Sequence, residues 1–287
     1  LEKSLLLCLV FIFSSNVHSS EKVCSKDMVS TNAFNNFILV QEQSFNDSLK
    51  KSSVHIVSKD DYINNNAYVE FDDCGALLKF RSNRTIKSRN KDNVLVTQFD
   101  TAMDKNNKSW DYNMTFKMYL LEQGGATRNL MIQEMSGEFL TGSNGEINKA
   151  EDASNIIVGK NHESGRAVTT FLIDDKGRLS ESNRVSTLKN DNVNTVFNYD
   201  SQDRLIQTSS GSTTEEFTYG SDNRELGSKN VQKFFTTETT ITTCKDWNKF
   251  GRCTNAKQNI SILIKDDKGE GEHFYNHLAD VKYNYVY

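Results

Sequence analysis

One phrase recurs along this chain. A strand-ending residue leads into Asp, two linking residues follow, then Gly or Asp, and a basic or small residue opens the next stretch. Ile173-Asp174-Asp175-Lys176-Gly177-Arg178-Leu179 and Tyr199-Asp200-Ser201-Gln202-Asp203-Arg204-Leu205 show it most fully, and Phe71-Asp72-Asp73-Cys74-Gly75-Ala76-Leu77 and Lys265-Asp266-Asp267-Lys268-Gly269-Glu270-Gly271 follow the same plan. The leading Asp can close an Asx-turn on its own backbone, and Gly supplies the positive φ of a tight hairpin. A chain that repeats this unit is constrained to antiparallel hairpins in series. Two neighbouring copies nearly duplicate each other: Phe197-Asn198-Tyr199-Asp200 with Asp203-Arg204, then Phe217-Thr218-Tyr219-Gly220 with Asn223-Arg224. Their rings and guanidinium groups either fasten hairpins or form a recognition surface.

The stretches between turns agree with that constraint. Phe37–Val40, Val54–Val57, Tyr68–Phe71, Leu77–Phe80 and Val94–Thr97 are short runs rich in β-branched and aromatic residues, each bounded by Asp, Asn, Ser or Gly. Phe234–Thr242 and Ile260–Lys265 alternate more cleanly, as strands with one wet face do. Helical periodicity is scarce: Asp27–Phe37, with Asp27 or Ser30 as N-cap, and Lys117–Gln123 are the candidates. Residues 100–115 and 142–155 are polar and asparagine-rich and read as long loops. The fold class is therefore all-β or β-dominant, an antiparallel hairpin meander or curled sheet with at most a short helix near the mature N-terminus.

The N-terminal run Leu5–Phe13 is too short to span a bilayer and suits the apolar region of a secretory signal, with cleavage expected after Ser19. That leaves a β-rich domain over 20–287, with a subdivision near 150 (20–150 and 151–287) as an option. It also leaves Cys24, Cys74, Cys244 and Cys253, an even set that in an exported chain reads as disulfides. Cys244 and Cys253 are close enough to staple one hairpin, which pairs Cys24 with Cys74. Neither Leu7-Cys8 nor Val23-Cys24 offers the small residue that lipidation requires. A net charge of −4 argues against nucleic acid, which needs a concentrated positive field. Hydrophobic residues make up 36%, few for this length, which suggests a sheet with a solvated face.

No constellation points to catalysis, and no cofactor is implied. Ser48-Leu49-Lys50-Lys51 has a Ser-x-x-Lys spacing without its companion elements, and no nucleophile elbow or phosphate loop is present. His273 and His277 are weak metal candidates, four residues apart, with no third ligand near in sequence. The Asp-Asp pairs at 60–61, 72–73, 174–175 and 266–267 are explained by turn chemistry, since adjacent strand residues face opposite ways. What remains as a candidate interaction surface is Tyr199, Arg204, Tyr219 and Arg224, with Trp110 and Trp247; fastening hairpins is the favoured role for these rings.

The turn phrases resemble the tyrosine–aspartate repeats of the Rhs and teneurin type, with Asp203 standing where that family has Gly. Read in order, Asp27–Ser30, Asp73-Cys74-Gly75, Glu216–Asp222, the Cys244–Cys253 loop and Tyr283-Asn284-Tyr285-Val286-Tyr287 resemble the uncharacterised YnfC-type envelope lipoproteins of enterobacteria, best over 190–287. That resemblance implies an envelope location and a fold type, without a reaction. The expectation is an exported, non-enzymatic, periplasmic or secreted protein that binds a protein or glycan. Alternatives are an immunity or inhibitor protein against a delivered toxin, or a metal-assisted hydrolase using His273 and His277.

Overall fold

The computed structural model describes residues 24–40, 49–90, 93–189, 191–234, 236–265 and 272–287. The expected signal region with Cys8 and the expected Asp266-Asp267 turn lie outside them. One helix, α1 (Lys26–Val40), precedes β1 (Lys51–Ser58), β2 (Ile63–Phe71), β3 (Leu77–Asn90), β4 (Asn93–Asn106), β5 (Ser109–Glu122) and β6 (Thr127–Thr141). The wall continues through β7 (Ile147–Val158), β8 (Asn161–Ile173), β9 (Leu179–Ser186), β10 (Val193–Tyr199) and β11 (Leu205–Ser210). It finishes with β12 (Thr213–Tyr219), β13 (Glu225–Lys233), β14 (Thr236–Trp247), β15 (Cys253–Lys265) and β16 (Glu272–Val286).

Each strand pairs antiparallel with its chain neighbours, and β1 pairs with β16, Lys51 opposite Val286 and Ser58 opposite Ala279, so the sheet closes into a barrel. Closure removes both sheet edges, the usual liability of a long meander. The expected all-β class with one short N-terminal helix is what the chain forms. Four local readings are corrected. Phe37–Val40 is the last turn of α1 and not a strand. Residues 100–115 form the β4–β5 hairpin, residues 147–155 belong to β7, and Lys117–Glu122 lies in β5 rather than in a helix. Residue 150 lies inside β7, whose partners β6 and β8 come from either side of it, so the wall is continuous there.

Alternate hairpin turns of such a meander lie at the same end. The turns at 72–76, 142–146, 174–178, 200–204, 220–224 and 248–252 therefore share one rim. They also share one design. The first residue's N–H donates to the fifth residue's carbonyl, as in Asp174 to Arg178 at 2.9 Å and Asp200 to Arg204 at 3.0 Å, and the fourth N–H returns to the first carbonyl. The leading carboxylate accepts two further N–H groups, those of Lys176 and Arg178 on Asp174 and of Gln202 and Arg204 on Asp200. The fourth residue takes positive φ, supplied by Gly75, Gly145, Gly177 and Gly251 and, less commonly, by Asp203 (62°) and Asn223 (66°).

α1 plugs the barrel at this rim. Ser25 caps it, its hydroxyl accepting from Met28 N–H at 3.2 Å, so neither Asp27 nor Ser30 is the cap. Phe37 packs with Leu179, Phe197 and Leu205, while Leu39 packs with Val69, Phe71, Leu77, Met103, Trp110, Tyr112 and Ile147. One helix meets both arcs of the wall only from inside. Asn35 and Asn36, 1% and 5% exposed, act as inserted peptide groups. Asn36 donates to Gly75 O at 2.7 Å and accepts from Leu77 N–H at 3.0 Å. Asn35 repeats this on the β6–β7 turn, donating to Gly145 O at 2.9 Å and accepting from Ile147 N–H at 2.8 Å. The Cys24–Cys74 disulfide ties the start of α1 to the β2–β3 turn, and Cys244–Cys253 staples β14 to β15, the pairing anticipated from sequence.

Candidate functional site

The doubled phrase resolves into a ladder around the plugged rim. Each arginine that opens a return strand lies over the aromatic ring of the following strand. Arg178 covers Tyr199 at 4.3 Å, Arg204 covers Tyr219 at 4.7 Å, Arg224 covers Trp247 at 4.9 Å and Arg252 covers Tyr285 at 5.7 Å. Each ring then donates to the carbonyl just after that arginine: Tyr199 to Leu179, Tyr219 to Leu205, Trp247 to Glu225 and Tyr285 to Cys253, at 2.7–3.1 Å. Trp110 makes the same bond to Leu77 O at 2.8 Å, with Lys105 over its ring. Asp203, out of place by the repeat's own pattern, accepts from Lys176 at 2.8 Å and Arg178 at 2.5 Å of the preceding hairpin, and Asn223 accepts from Arg204 at 2.9 Å. Arg178 holds the Asp174 carboxyl below the usual carboxylate range, and burial pushes the Tyr199 hydroxyl up to about 12.

All six candidate interaction residues are therefore fastenings between hairpins. Arg204→Gln and Tyr219→Phe are each expected to cost about 1 kcal/mol, from the lost cation–π contact and the lost hydrogen bond respectively. Urea midpoints of the two single variants and the double variant would check this; strict additivity would deny that the pair acts as a unit.

The face that binds α1 is the lumen, and the register extends it around the wall. Val69, Phe80, Met103, Tyr112, Gly137 and Asp152 form one row of successive partners that includes residues packed on the helix. With side chains alternating, rows two residues away face inward too. These are Ala67, Ser82, Thr101, Met114, Met135 and Ser154, then Asn65, Arg84, Phe99, Phe116, Gln133 and Ile156. The β4–β7 arc thus presents a panel of methionine and phenylalanine to the lumen. Met114 at 41% and Phe99 at 37% stay solvent-exposed, so this interior is hollow there. On the opposite arc the inward residues are polar: Thr208, Ser210, Glu215, Asn230 and Thr240. Burial holds the Glu215 carboxyl above the usual range, against hydrogen bonds from Ser228 and Asn230. Beside α1 a cavity of about 500 Å³ runs among Val40, Val54, Val69, Phe217, Tyr283 and Tyr285 to the rim at Arg252.

The outer face is mixed: Val168 and Leu172 on β8, Val185 on β9, Ile241 on β14 and Leu278 on β16 point outward and are 38–66% exposed, while its middle over β3 and β5 is polar. Arg81, Asn83, Thr85 and Lys87 face outward on β3, and Asp111, Asn113, Thr115 and Lys117 on β5. Charged groups pair directly across strands, Lys51 with Glu70 at 3.1 Å and Lys257 with Asp280. A shallow outer concavity of about 640 Å³ crosses β1–β5 at His55, Asn66, Tyr68, Asn83 and Asp100, whose side chains largely bond one another or their neighbours: His55 to Asn66, Asn83 to Asp100, Tyr68 to Glu70.

Within the lumen wall, sequence reasoning missed an ionic network. Asp152, whose side chain is 0% exposed, accepts from Arg184 Nη1 at 2.5 Å and Nη2 at 2.9 Å and from the Tyr112 hydroxyl at 2.9 Å. Arg184 also reaches Asp191 at 2.9 Å. Gly137 makes room for it: a Cβ there would lie 2.7 Å from Tyr112 Cε1 and 2.6 Å from Asp152 Cβ.

His273 and His277 share the lumen face of β16, but a strand sets residues four apart at about 13 Å, too far for one ion. His277 instead stacks on Tyr62 at 3.6 Å and bonds Asp60 at 2.5 Å. Among the described residues no three His, Cys, Asp or Glu side chains group as metal ligands.

No protein-family model matches the chain, and no curated protein does. Among solved structures it is similar to a porin-like protein from Bacteroides uniformis, at 10% identity and a TM-score of 0.43, covering 84% of this chain and 98% of that one. A likeness at that level carries no functional weight.

Proposed function

We propose that this chain is an exported, non-enzymatic binding protein of the cell envelope, bathed in water on its outside, that holds an amphipathic small molecule in its lumen. The observation that carries the reading is the charge spread over the outer face. A membrane-spanning barrel needs an outward apolar band about 25 Å tall, and a Lys or Arg on its lipid face costs roughly 2–4 kcal/mol at the midplane. Here charged and amide side chains run along the outer faces of β3 and β5, and where apolar residues do face outward a charge stands beside them, Arg166 beside Val168, Lys229 opposite Ile241 and Asp280 beside Leu278. A second support is the lumen's division into an apolar arc and a polar arc, which matches a molecule with two chemistries better than water alone. Two disulfides fit an oxidising compartment and so an exported chain.

Two measurements test this together. The oxidised protein should be monodisperse without detergent and stay in the supernatant when lipid vesicles are pelleted. A solvatochromic apolar dye such as Nile red should bind with a blue shift that Met114→Gln with Phe116→Gln removes. Sedimentation with vesicles, or dye binding indifferent to the lumen substitutions, would overturn the proposal.

A further inference from the structure

Among the described residues the lumen also holds a cation with no carboxylate partner. Arg84 projects inward from β3 between Asn65 on β2 and Phe99 on β4. Its Nε is buried and makes no hydrogen bond, and among the described residues no carboxylate lies within ion-pair distance of its guanidinium. Asn65 Oδ1, its cross-strand neighbour, is likewise buried without a donor. The other internal cations described above are matched: Arg184 by Asp152 and Asp191, and His277 by Asp60. An inward guanidinium left uncompensated is costly unless something supplies its partner.

What adjoins Arg84 says what that partner is. The next two positions along its row are Phe99 and Phe116, with ring centroids 5.0 Å apart, and Met114 stands one row nearer the plug. The cation thus stands at the border of the apolar panel. Resting on the lumen reading above, we infer that Arg84, assisted by the Asn65 amide, receives the anionic head of a single-chain amphiphile whose hydrocarbon tail lies along the panel toward Met114. The guanidinium fork suits a carboxylate or a phosphate, so a long-chain fatty acid and a lysophospholipid share the required chemistry.

The test compares dodecanoate, dodecanol and a dodecyl-chain lysophosphatidic acid as competitors for Nile red in the wild type and in Arg84→Gln. The wild type should bind the two anions at least about tenfold more tightly than the alcohol, as a charge-assisted hydrogen bond of 1.4 kcal/mol or more requires. Arg84→Gln should lose that preference while binding the alcohol unchanged, and Arg84→Lys should restore part of it. The ratio of the two anions identifies which head the site prefers. Should both proteins bind anion and alcohol alike, the Arg84 inference fails and the lumen reading stands. If none of the three displaces the dye, or the dye itself does not bind, both fall.

Discussion

Asp152→Ala is expected to cost the fold about 3–5 kcal/mol, the range seen when one partner of a buried ion pair is removed. The Asp152 side chain is 0% exposed and Arg184 16%. Removing the carboxylate strands the Arg184 guanidinium with Asp191 alone and leaves the Tyr112 hydroxyl without its acceptor. Burial, then the Asp152 charge, keeps that hydroxyl protonated well above the usual tyrosine range, so it acts as a donor throughout the working pH range. Arg184→Met should be comparably costly, because it leaves the carboxylate in the wall with only Tyr112. By contrast, Asp152→Leu with Arg184→Met should lie within about 2 kcal/mol of wild type, since a buried pair barely offsets its own desolvation. Urea unfolding followed by tryptophan fluorescence gives the midpoints. A single Asp152→Ala loss below about 1 kcal/mol would mean that water reaches the network, against the burial reported above.

How much of this could be read in advance follows from which interactions are local. The turn phrase was legible because its hydrogen bonds close within five residues, and the leading Asp and positive-φ Gly are chemical requirements of that closure. The cysteine pairing was legible for a similar reason, a nine-residue separation fixing one bridge and the other following. Barrel closure was not, because nothing in Lys51–Ser58 or Glu272–Val286 names the other as a partner. Reading 100–115 as a loop has an instructive cause. Its Asp100, Asp104, Asp111 and Asn113 are the outer face of β4 and β5, and between them Met103, Trp110, Tyr112 and Met114 repeat with the period of a strand. The same alternation continues through Phe116, Met118 and Leu120, the signal that identifies β5 and the lumen panel together.

The site was less legible than the fold. Rings and arginines in the repeat drew attention as a surface, yet their meaning lies in the offset between one hairpin's arginine and the next hairpin's ring, which the repeat encodes only once the hairpins are laid side by side. Arg84, Asn65, Asp152 and Arg184 carried no local signal. Each sits in an ordinary polar strand sequence, and only register decides that these face inward while Arg81, Asn83 and Glu151 face water. The low apolar content has the same origin: much of the outer face and one lumen arc are polar, so the β4–β7 panel and the plug contacts take a large share of the hydrophobic residues.

Asn35→Leu combined with Asn36→Leu is expected to release the plug while leaving the barrel folded. Asparagine in α1 reads as compositional drift in a chain so rich in it, and α1 has no clean apolar stripe because its buried face includes these two amides. Each substitution orphans a backbone N–H and a carbonyl: Leu77 N–H and Gly75 O for Asn36, Ile147 N–H and Gly145 O for Asn35. Leu77 and Ile147 are 0% and 2% exposed, so water cannot replace the lost partners while α1 stays docked. At about 1–3 kcal/mol per unsatisfied buried group, each change should weaken docking by about 2–4 kcal/mol. The losses should not add fully, because once α1 leaves, the orphaned groups meet water and the penalty stops growing. Phe37 and Leu39 would oppose release through their packing, and the Cys24–Cys74 bridge would keep the freed helix tethered. Hydrogen exchange over 26–40 should accelerate by about a hundredfold or more for a loss near 3 kcal/mol, with the central amides of β3–β7 little changed. Uniform acceleration through the barrel would make the plug part of the global folding unit, and no acceleration would show that the apolar contacts hold α1 without the amide clamps.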